Sequence, residues 1–527
     1  KKLESIVVQD FDGRFKPLHT LAREILHKVH RKDTYNGMTA TQVLMEAMFN
    51  LDFIKNERLI AVNHPEIREM LGITEKYATY IDFFDDETDE YILEQAVAIA
   101  NQKPESRRNE FDKQVIKVNE RVQILGAAIY YLRIFPVRGA ENNTWFTPFD
   151  PAAPYANVDS LMPKFFIDYV NSVRIGKLTG DYTQADESLE LIRSYQKAVA
   201  GELYPSQTKI DMEIRYNEMN IFKRITYVYL LFGFGLLLVF FIRVFTLKTK
   251  WAKVANIMLM IGIIAGFIVH GIGLGMRWYI SSYPPWSDGY EALLFIAWVG
   301  VLAGLLFAKK SMAALGATGI LAFFLLYVAH LNNLDPQITN LVPVLQSYWL
   351  KVHVSVITGS YAFLGLGAVL AIVNLLLYIF KTTENKIRLN LHIEELSYII
   401  EMTTTIGLFM LTIGTFLGGI WANESWGRYW GWDPKETWAL VSILVYAVLL
   451  HLRFIPALKG KLVFNSVAMW SYSAILFTYF GVNFFLVGLH SYANGEAETI
   501  WPSWLTPVVL IFVAFNALAI WRDRAVK

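Results

Sequence analysis

Two hydropathy regimes divide the chain. Through residue 220, Lys, Arg, Asp and Glu recur every few positions. Beyond it, apolar runs of about 20 residues, the length a helix needs to cross a bilayer, alternate with short charged breaks. The runs lie near 222–245, 253–276, 289–308, 311–331, 350–380, 399–420, 436–455, 465–488 and 503–521. The pattern predicts an all-α polytopic membrane protein: about nine transmembrane helices over 221–527, preceded by a mainly helical, water-exposed domain over 1–220. The fifth run is long enough to tilt or project. Residues 384–398 have a mixed helical pattern and read as an interfacial connector.

Basic residues in short loops set the direction of the spans. Lys248, Lys250 and Lys253 follow the first span, Lys309 and Lys310 the third, and Lys381, Lys386 and Arg388 the fifth. Arg453, Lys459 and Lys461 follow the seventh, and Arg522, Arg524 and Lys527 the ninth. With spans that alternate, all five clusters fall on one side, the cytoplasm. The opposite side then gathers residues 1–220, the 277–288 connector, and the loops at 332–349, 421–438 and 489–502.

Composition narrows the chemistry. A chain that is 54% hydrophobic with 15 tryptophans is too apolar for an ordinary soluble enzyme, and a net charge of +1 gives no reason to expect nucleic acid as a partner. There is no cysteine, which excludes disulfides, thiolate metal sites and thiol catalysis by this polypeptide. The chain opens on Lys1 and Lys2 with no methionine or signal peptide, so an outward-facing 1–220 is expected to follow upstream sequence in a longer protein.

The most telling stretch is the outer loop between the sixth and seventh spans. It carries Trp421, Trp426, Trp430, Trp432 and Trp438, two glycine breaks and the Asp433-Pro434 turn within 18 residues. One or two tryptophans suffice for a membrane interface. Five suggest an aromatic platform for a large flat ligand. His353 begins the fifth span and His490 ends the eighth, both on the same side as this loop. Imidazole is a common axial ligand of heme iron and a porphyrin is a flat partner for indoles, so heme held between these two histidines is the sharp reading. The plain alternative is a pair of interfacial histidines bonded to loop carbonyls.

The other histidines sort by depth. His451 lies about 22 Å from the outer end of the seventh span at 1.5 Å per residue, where a polar ring needs a partner; a second heme or a snorkelling histidine beside Arg453 would explain it. His270 sits nearer the outer end of the second span, a poor depth match for His451, and His330 ends the fourth span outside. His27 and His30 share a helical face without carboxylate or cysteine company, which reads as a solvated face. His19 belongs to the same amphipathic pattern.

The stretch from Trp430 through Ala439 resembles the heme-handling family named for its tryptophan-rich WWD signature. Residues 341–354, 449–451 and 482–492, with Ser287 to Glu291 and Trp278 to Trp298, resemble its CcsA (ResC) branch of system II cytochrome c biogenesis, covering roughly 253–521. The resemblance implies a holocytochrome c synthase, or heme lyase, in the bacterial inner membrane. Its WWD loop and residues 1–220 would face the periplasm. It implies heme b as substrate and ligand, joined through its vinyl groups to the thiols of a CxxCH motif in apocytochrome c.

By the same resemblance His353 and His490 are the external axial ligands and act in catalysis, while His451 is the transmembrane histidine. Trp421, Trp426, Trp430, Trp432, Trp438 and Asp433 are the expected cofactor-binding residues, with His270 the weaker local candidate partner of His451. A CcsB (ResB)-like half is an expected partner, as in fused CcsBA-type proteins of the Bacteroidetes kind, whose long versions carry an insert that residues 1–220 resemble. A separate thiol-reducing protein and membrane lipid complete the expected partners. Asp433, Lys435 and Glu436 could contact propionates or serve as turn and helix start. A heme transporter without ligase activity, and a b-type heme electron-transfer subunit, are the competing readings.

Overall fold

The structure is a computed structural model that describes residues 2–104, 107–148, 150, 161–246, 250–331, 334–341, 343–486, 488–489 and 504–526. It divides into two compact units, residues 1–219 with 337–340, and residues 220–336 with 341–527.

The first unit is mainly helical. Helices α1 (Leu18–His30), α2 (Ala40–Phe49), α3 (Leu51–Asn56), α4 (Pro65–Met70), α5 (Glu94–Gln102), α6 (Glu110–Gly126), α7 (Leu161–Thr179), α8 (Thr183–Ala200) and α9 (Gln207–Met219) are joined by four short antiparallel two-stranded ladders. Leu18, Leu21, Ala22, Ile25, Leu26 and Val29 form the apolar stripe that sets α1 into the core, facing Val115, Val118, Val122 and Leu125 of α6. Capping boxes at Thr39/Gln42 and Asn109/Asp112 fix the starts of α2 and α6.

His30 departs from the solvated-face reading. It is 4% exposed, packed between Tyr35 and Tyr77, with Nδ1 3.0 Å from the Leu59 carbonyl oxygen. His27 is exposed and pairs with Asp33 at 3.4 Å. The three-residue spacing puts His30 one step round the helix, at the edge of the buried stripe.

The second unit contains α10 (Ile221–Phe245), α11 (Lys250–Ser281), α12 (Gly289–Phe307), α13 (Met312–Ala329), α14 (Tyr348–Ile379), α15 (Lys386–Trp426), α16 (Pro434–His451), α17 (Lys461–Leu476), α18 (Val482–Phe485) and α19 (Leu505–Val526). Among the described residues eight helices, all but α17 and α18 of this unit, are long and apolar enough to cross a membrane, so the chain is a multi-pass membrane protein. The expected span 465–488 takes a different form: α17 runs through a π-helical segment, Phe477–Gly481, into α18. Residues 386–398 are the opening turns of the 41-residue α15, not a separate connector.

Helix α14 is central, packing on α12, α13, α15, α17 and α19. Small residues on α15 permit this close approach without the hydrophobic drive available in water. Leu364 of α14 lies against Gly407, and the Ile357 backbone lies against Gly414. A buried polar triad, Asn374, Ser397 and Asn465, ties α14, α15 and α17 together: Asn374 Nδ2 donates to Asn465 Oδ1 at 2.9 Å, and Asn465 Nδ2 to Ser397 Oγ at 2.9 Å.

Candidate functional site

Helix α14 begins at Tyr348, so His353 lies on its second turn. Its Nδ1 is 2.7 Å from the Gly414 carbonyl oxygen of α15. If Nδ1–H donates there, the tautomer is set and Nε2 carries the lone pair that would bind iron. A methyl group on Gly418 would meet His353 Cε1 at 2.6 Å, so the half-buried imidazole needs a bare backbone beneath it. A methyl on the adjacent Gly419 would meet the Tyr429 carbonyl oxygen at 3.1 Å. Two consecutive glycines therefore receive the histidine and the tryptophan loop side by side. Sequence reading passed over Gly414, Gly418 and Gly419, because a glycine in an apolar run signals only close approach, not what approaches.

Further bonds brace this end of α14. Ser347 Oγ donates to Glu424 Oε2 at 2.6 Å, joining the start of α14 to the end of α15. Trp286 Nε1 donates to the Lys351 carbonyl oxygen at 3.1 Å, two residues before His353. Arg277 and Glu291 form a fully buried pair at 2.6 Å, and Arg277 also donates to the Pro336 carbonyl oxygen at 2.8 Å.

The five tryptophans do not form one continuous platform. Helix α15 runs on to Trp426, so Trp421 is helical and buried, edge-to-face with Trp426 at 4.7 Å. Trp438 belongs to α16 and packs on Phe477 of the π-helical segment at 4.2 Å. Trp430 and Trp432 stand perpendicular at 5.6 Å, and Trp432 is 69% exposed. Trp432 also adopts φ +58°, a left-handed conformation uncommon for a bulky side chain and costing about 1–2 kcal/mol. The surface open to a ligand is thus narrower than five indoles suggest, and its most exposed ring is held in a strained turn.

Asp433 has a structural role that the sequence left open. It is the N-cap of α16, with Pro434 at N1 and Glu436 closing a capping box. Its Oδ1 accepts the Leu489 backbone N–H at 2.6 Å. Gly488 lies so close that any Cβ there would overlap Asp433 Oδ1 and approach Pro434 Cδ at 2.8 Å. The segment immediately preceding His490 is therefore clamped to the start of α16, while His490 itself lies outside the described residues. Glu436 Oε2 accepts the Gly431 N–H at 2.7 Å and shapes the loop. Lys435 donates to Asn483 Oδ1, joining α16 to α18.

His451 and His270 are separate from this cluster and from each other. His451 closes α16, exposed, with Nδ1 2.6 Å from the Ala447 carbonyl oxygen and its ring 5.7 Å from Phe454. Seventeen residues beyond Pro434, it lies about 25 Å along the helix. His270 is completely buried, 3.2 Å from the Tyr229 hydroxyl and edge-to-face with Phe222 at 5.5 Å, so these partners would have to move to admit a macrocycle. Helix α11 packs chiefly on α10 and α12, and α16 on α15 and α17, which gives the two imidazoles no common helix pair. His330 Nδ1 is 2.6 Å from the Leu326 carbonyl oxygen in its own helix end.

Taken as chemistry, this cluster offers an imidazole braced at Nδ1, an exposed indole and a guanidinium, Arg428. These suit a flat, anionic, metal-centred ligand.

Residues 286–518 match the cytochrome C assembly protein family. The chain is 40% identical to Protein NrfI of Wolinella succinogenes over 506 residues, 94% of this chain and 55% of NrfI. It spans little more than half of that relative. Coverage of 94% means the match extends well into residues 1–220. The cytochrome c biogenesis protein CcsA of Guillardia theta is 37% identical over 249 residues, 42% of this chain and 80% of CcsA. CcsA of Prochlorococcus marinus (strain MIT 9301) is 36% identical over 244 residues, 41% of this chain and 78% of its own length.

Proposed function

Because the chain belongs to the CcsA-type family of cytochrome c biogenesis proteins, we propose that it is the heme-handling part of a cytochrome c synthase. It receives or exports heme b and presents it at the outer tryptophan loop for thioether attachment to the CxxCH motif of apocytochrome c. The observation that carries this reading is the convergence on the loop of two chain segments distant in sequence. His353 rests on Gly418 beside the loop's Tyr429 carbonyl, and the chain at Leu489 is bonded to the loop's Asp433.

In this reading the chain is a positioning device. His353 ligates iron through Nε2, with Gly414 holding its ring, and His490 is the second ligand. Trp430 and Trp432 bound the porphyrin and leave its vinyl edge open. The acceptor's CxxCH histidine displaces one protein ligand and brings its cysteines to the vinyls. Each thiol adds across a vinyl double bond, sulfur to the inner carbon and hydrogen to the terminal one, so no atom is lost and this chain supplies no nucleophile. The absence of cysteine agrees with that division of labour. A separate protein keeps the acceptor thiols reduced, and a CcsB-like half completes the transmembrane site at His451.

The same reading puts the protein in a bacterial inner membrane with residues 1–220 and the tryptophan loop in the periplasm. The test is co-expression with a CxxCH reporter, followed by a denaturing gel stained for heme. Loss of covalent label in a His353→Ala, His490→Ala double variant is expected, with recovery of the single variants by added imidazole. Undiminished label in the double variant would remove the assignment. Heme bound at the site without any covalent product would favour a transporter.

A further inference from the structure

This inference rests on the heme reading and asks what fixes the ligand's orientation. Between Trp421 and Trp438 the sequence has two cations, Arg428 and Lys435. Lys435 is engaged with Asn483. Arg428 is placed differently. Its side chain remains 33% exposed, its Cζ lies 5.6 Å from the Trp426 ring centroid, and it covers the face of Gly431, where any Cβ would collide with the guanidinium.

Its contact with Glu436 is long, 3.4 Å, and the other carboxylate oxygen of Glu436 already accepts the Gly431 N–H at 2.7 Å and the Asp433 N–H at 3.3 Å. A guanidinium has five N–H groups in a planar fork suited to a carboxylate. One long contact leaves most of that capacity available. Arg428 precedes Tyr429, whose carbonyl oxygen packs on Gly419, while the His353 ring packs on Gly418. Guanidinium and imidazole therefore belong to the two chain segments that meet at one glycine pair.

We propose that Arg428 determines ligand specificity and orientation at the outer site by receiving a heme propionate carboxylate. The propionate takes the place of the long Glu436 contact, and Trp426 supports the guanidinium from the other side. Propionates and vinyls occupy different edges of heme b, so pinning the first at Arg428 directs the second away from the loop toward an acceptor.

The test is titration of the purified full chain in detergent with hemin and with hemin dimethyl ester, read from the Soret band. The unaltered chain is expected to bind hemin about tenfold or more tightly than the ester, the scale of a charge-assisted hydrogen bond. Arg428→Gln should bind both alike, near the ester affinity of the unaltered chain, and Arg428→Lys should keep part of the preference. His353→Ala should weaken both ligands. An Arg428→Gln chain that still prefers hemin, or that loses affinity for both ligands equally, overturns the inference and leaves the histidine reading standing. A His353→Ala chain that binds both ligands normally removes the heme reading itself.

Discussion

Replacing Gly488 with alanine should uncouple the tryptophan loop from the segment that leads to His490. The added methyl would overlap Asp433 Oδ1 and come within 2.8 Å of Pro434 Cδ, one atom of a carboxylate in use and one of a rigid ring. Neither can yield cheaply, so the chain must lift away and the 2.6 Å bond from Leu489 N–H to Asp433 breaks. A hydrogen bond to a charged group contributes about 1.5–3 kcal/mol, which corresponds to roughly a 10- to 150-fold fall in the seated population. Hemin affinity, measured by Soret titration, should weaken within that range, and covalent labelling of a CxxCH reporter should fall with it.

Asp433→Ala removes the same bond plus the cap of α16, a further loss of about 1 kcal/mol. It should therefore match Gly488→Ala in heme binding but unfold at lower temperature. Because both changes act on one contact, the double variant should bind heme no worse than the weaker single variant. Full affinity and full labelling in Gly488→Ala would refute the clamp, and additive losses in the double variant would show that the residues act independently.

Gly418→Ala should imitate His353→Ala, because its methyl would lie 2.6 Å from His353 Cε1; a Soret titration should show the loss, and wild-type binding would count against the glycine seat. Glu291→Gln takes the 2.6 Å carboxylate from the fully buried Arg277, leaving Asp288 at 3.9 Å, and should cost about 3 kcal/mol, whereas an Arg277→Met, Glu291→Leu double variant should lose much less; thermal unfolding in detergent separates the two. In the first unit, burial lowers the pKa of both His19 and His30 below the usual 6.5. The unfolded chain therefore binds more protons, so this contribution to stability is present above pH 6.5 and is lost as pH falls through the folded values. Hydrogen exchange over residues 18–30, corrected for intrinsic rates, should accelerate at pH 5.5, and a His19→Gln, His30→Phe double variant should flatten that response.

Much of the architecture was legible because a bilayer imposes a simple rule on a chain: long apolar runs must be helices. The residues of α10, α12, α13, α14 and α19 fall within a few positions of the runs seen in the sequence, and so do those of α16. The same rule is silent about polar residues that continue a helix beyond the membrane. This is why residues 386–398 read as a connector, and why Trp421 and Trp426 read as loop when they lie on the last turns of α15. Nor does hydropathy distinguish α from π geometry, so the break at Phe477–Gly481 left no trace in the pattern.

The candidate site divides along the same line. Residue types alone marked His353, Asp433 and the tryptophans, since imidazoles and indoles at an apolar boundary stand out wherever the chain goes. Which of them share a surface depends on contacts between helices. Tertiary packing buried Trp421, enclosed His270 between Tyr229 and Phe222, and left Trp432 and Arg428 accessible. It also gave Gly418 and Gly488 their meaning, as places where another segment comes too close for a side chain. The sequence by itself determined a polytopic helical membrane protein, because transfer of apolar residues out of water is a local property summed along the chain. Only the tertiary structure decided which rings are exposed and which carboxylates hold the loop, because hydrogen bonding and close packing depend on residues that meet from distant parts of the chain.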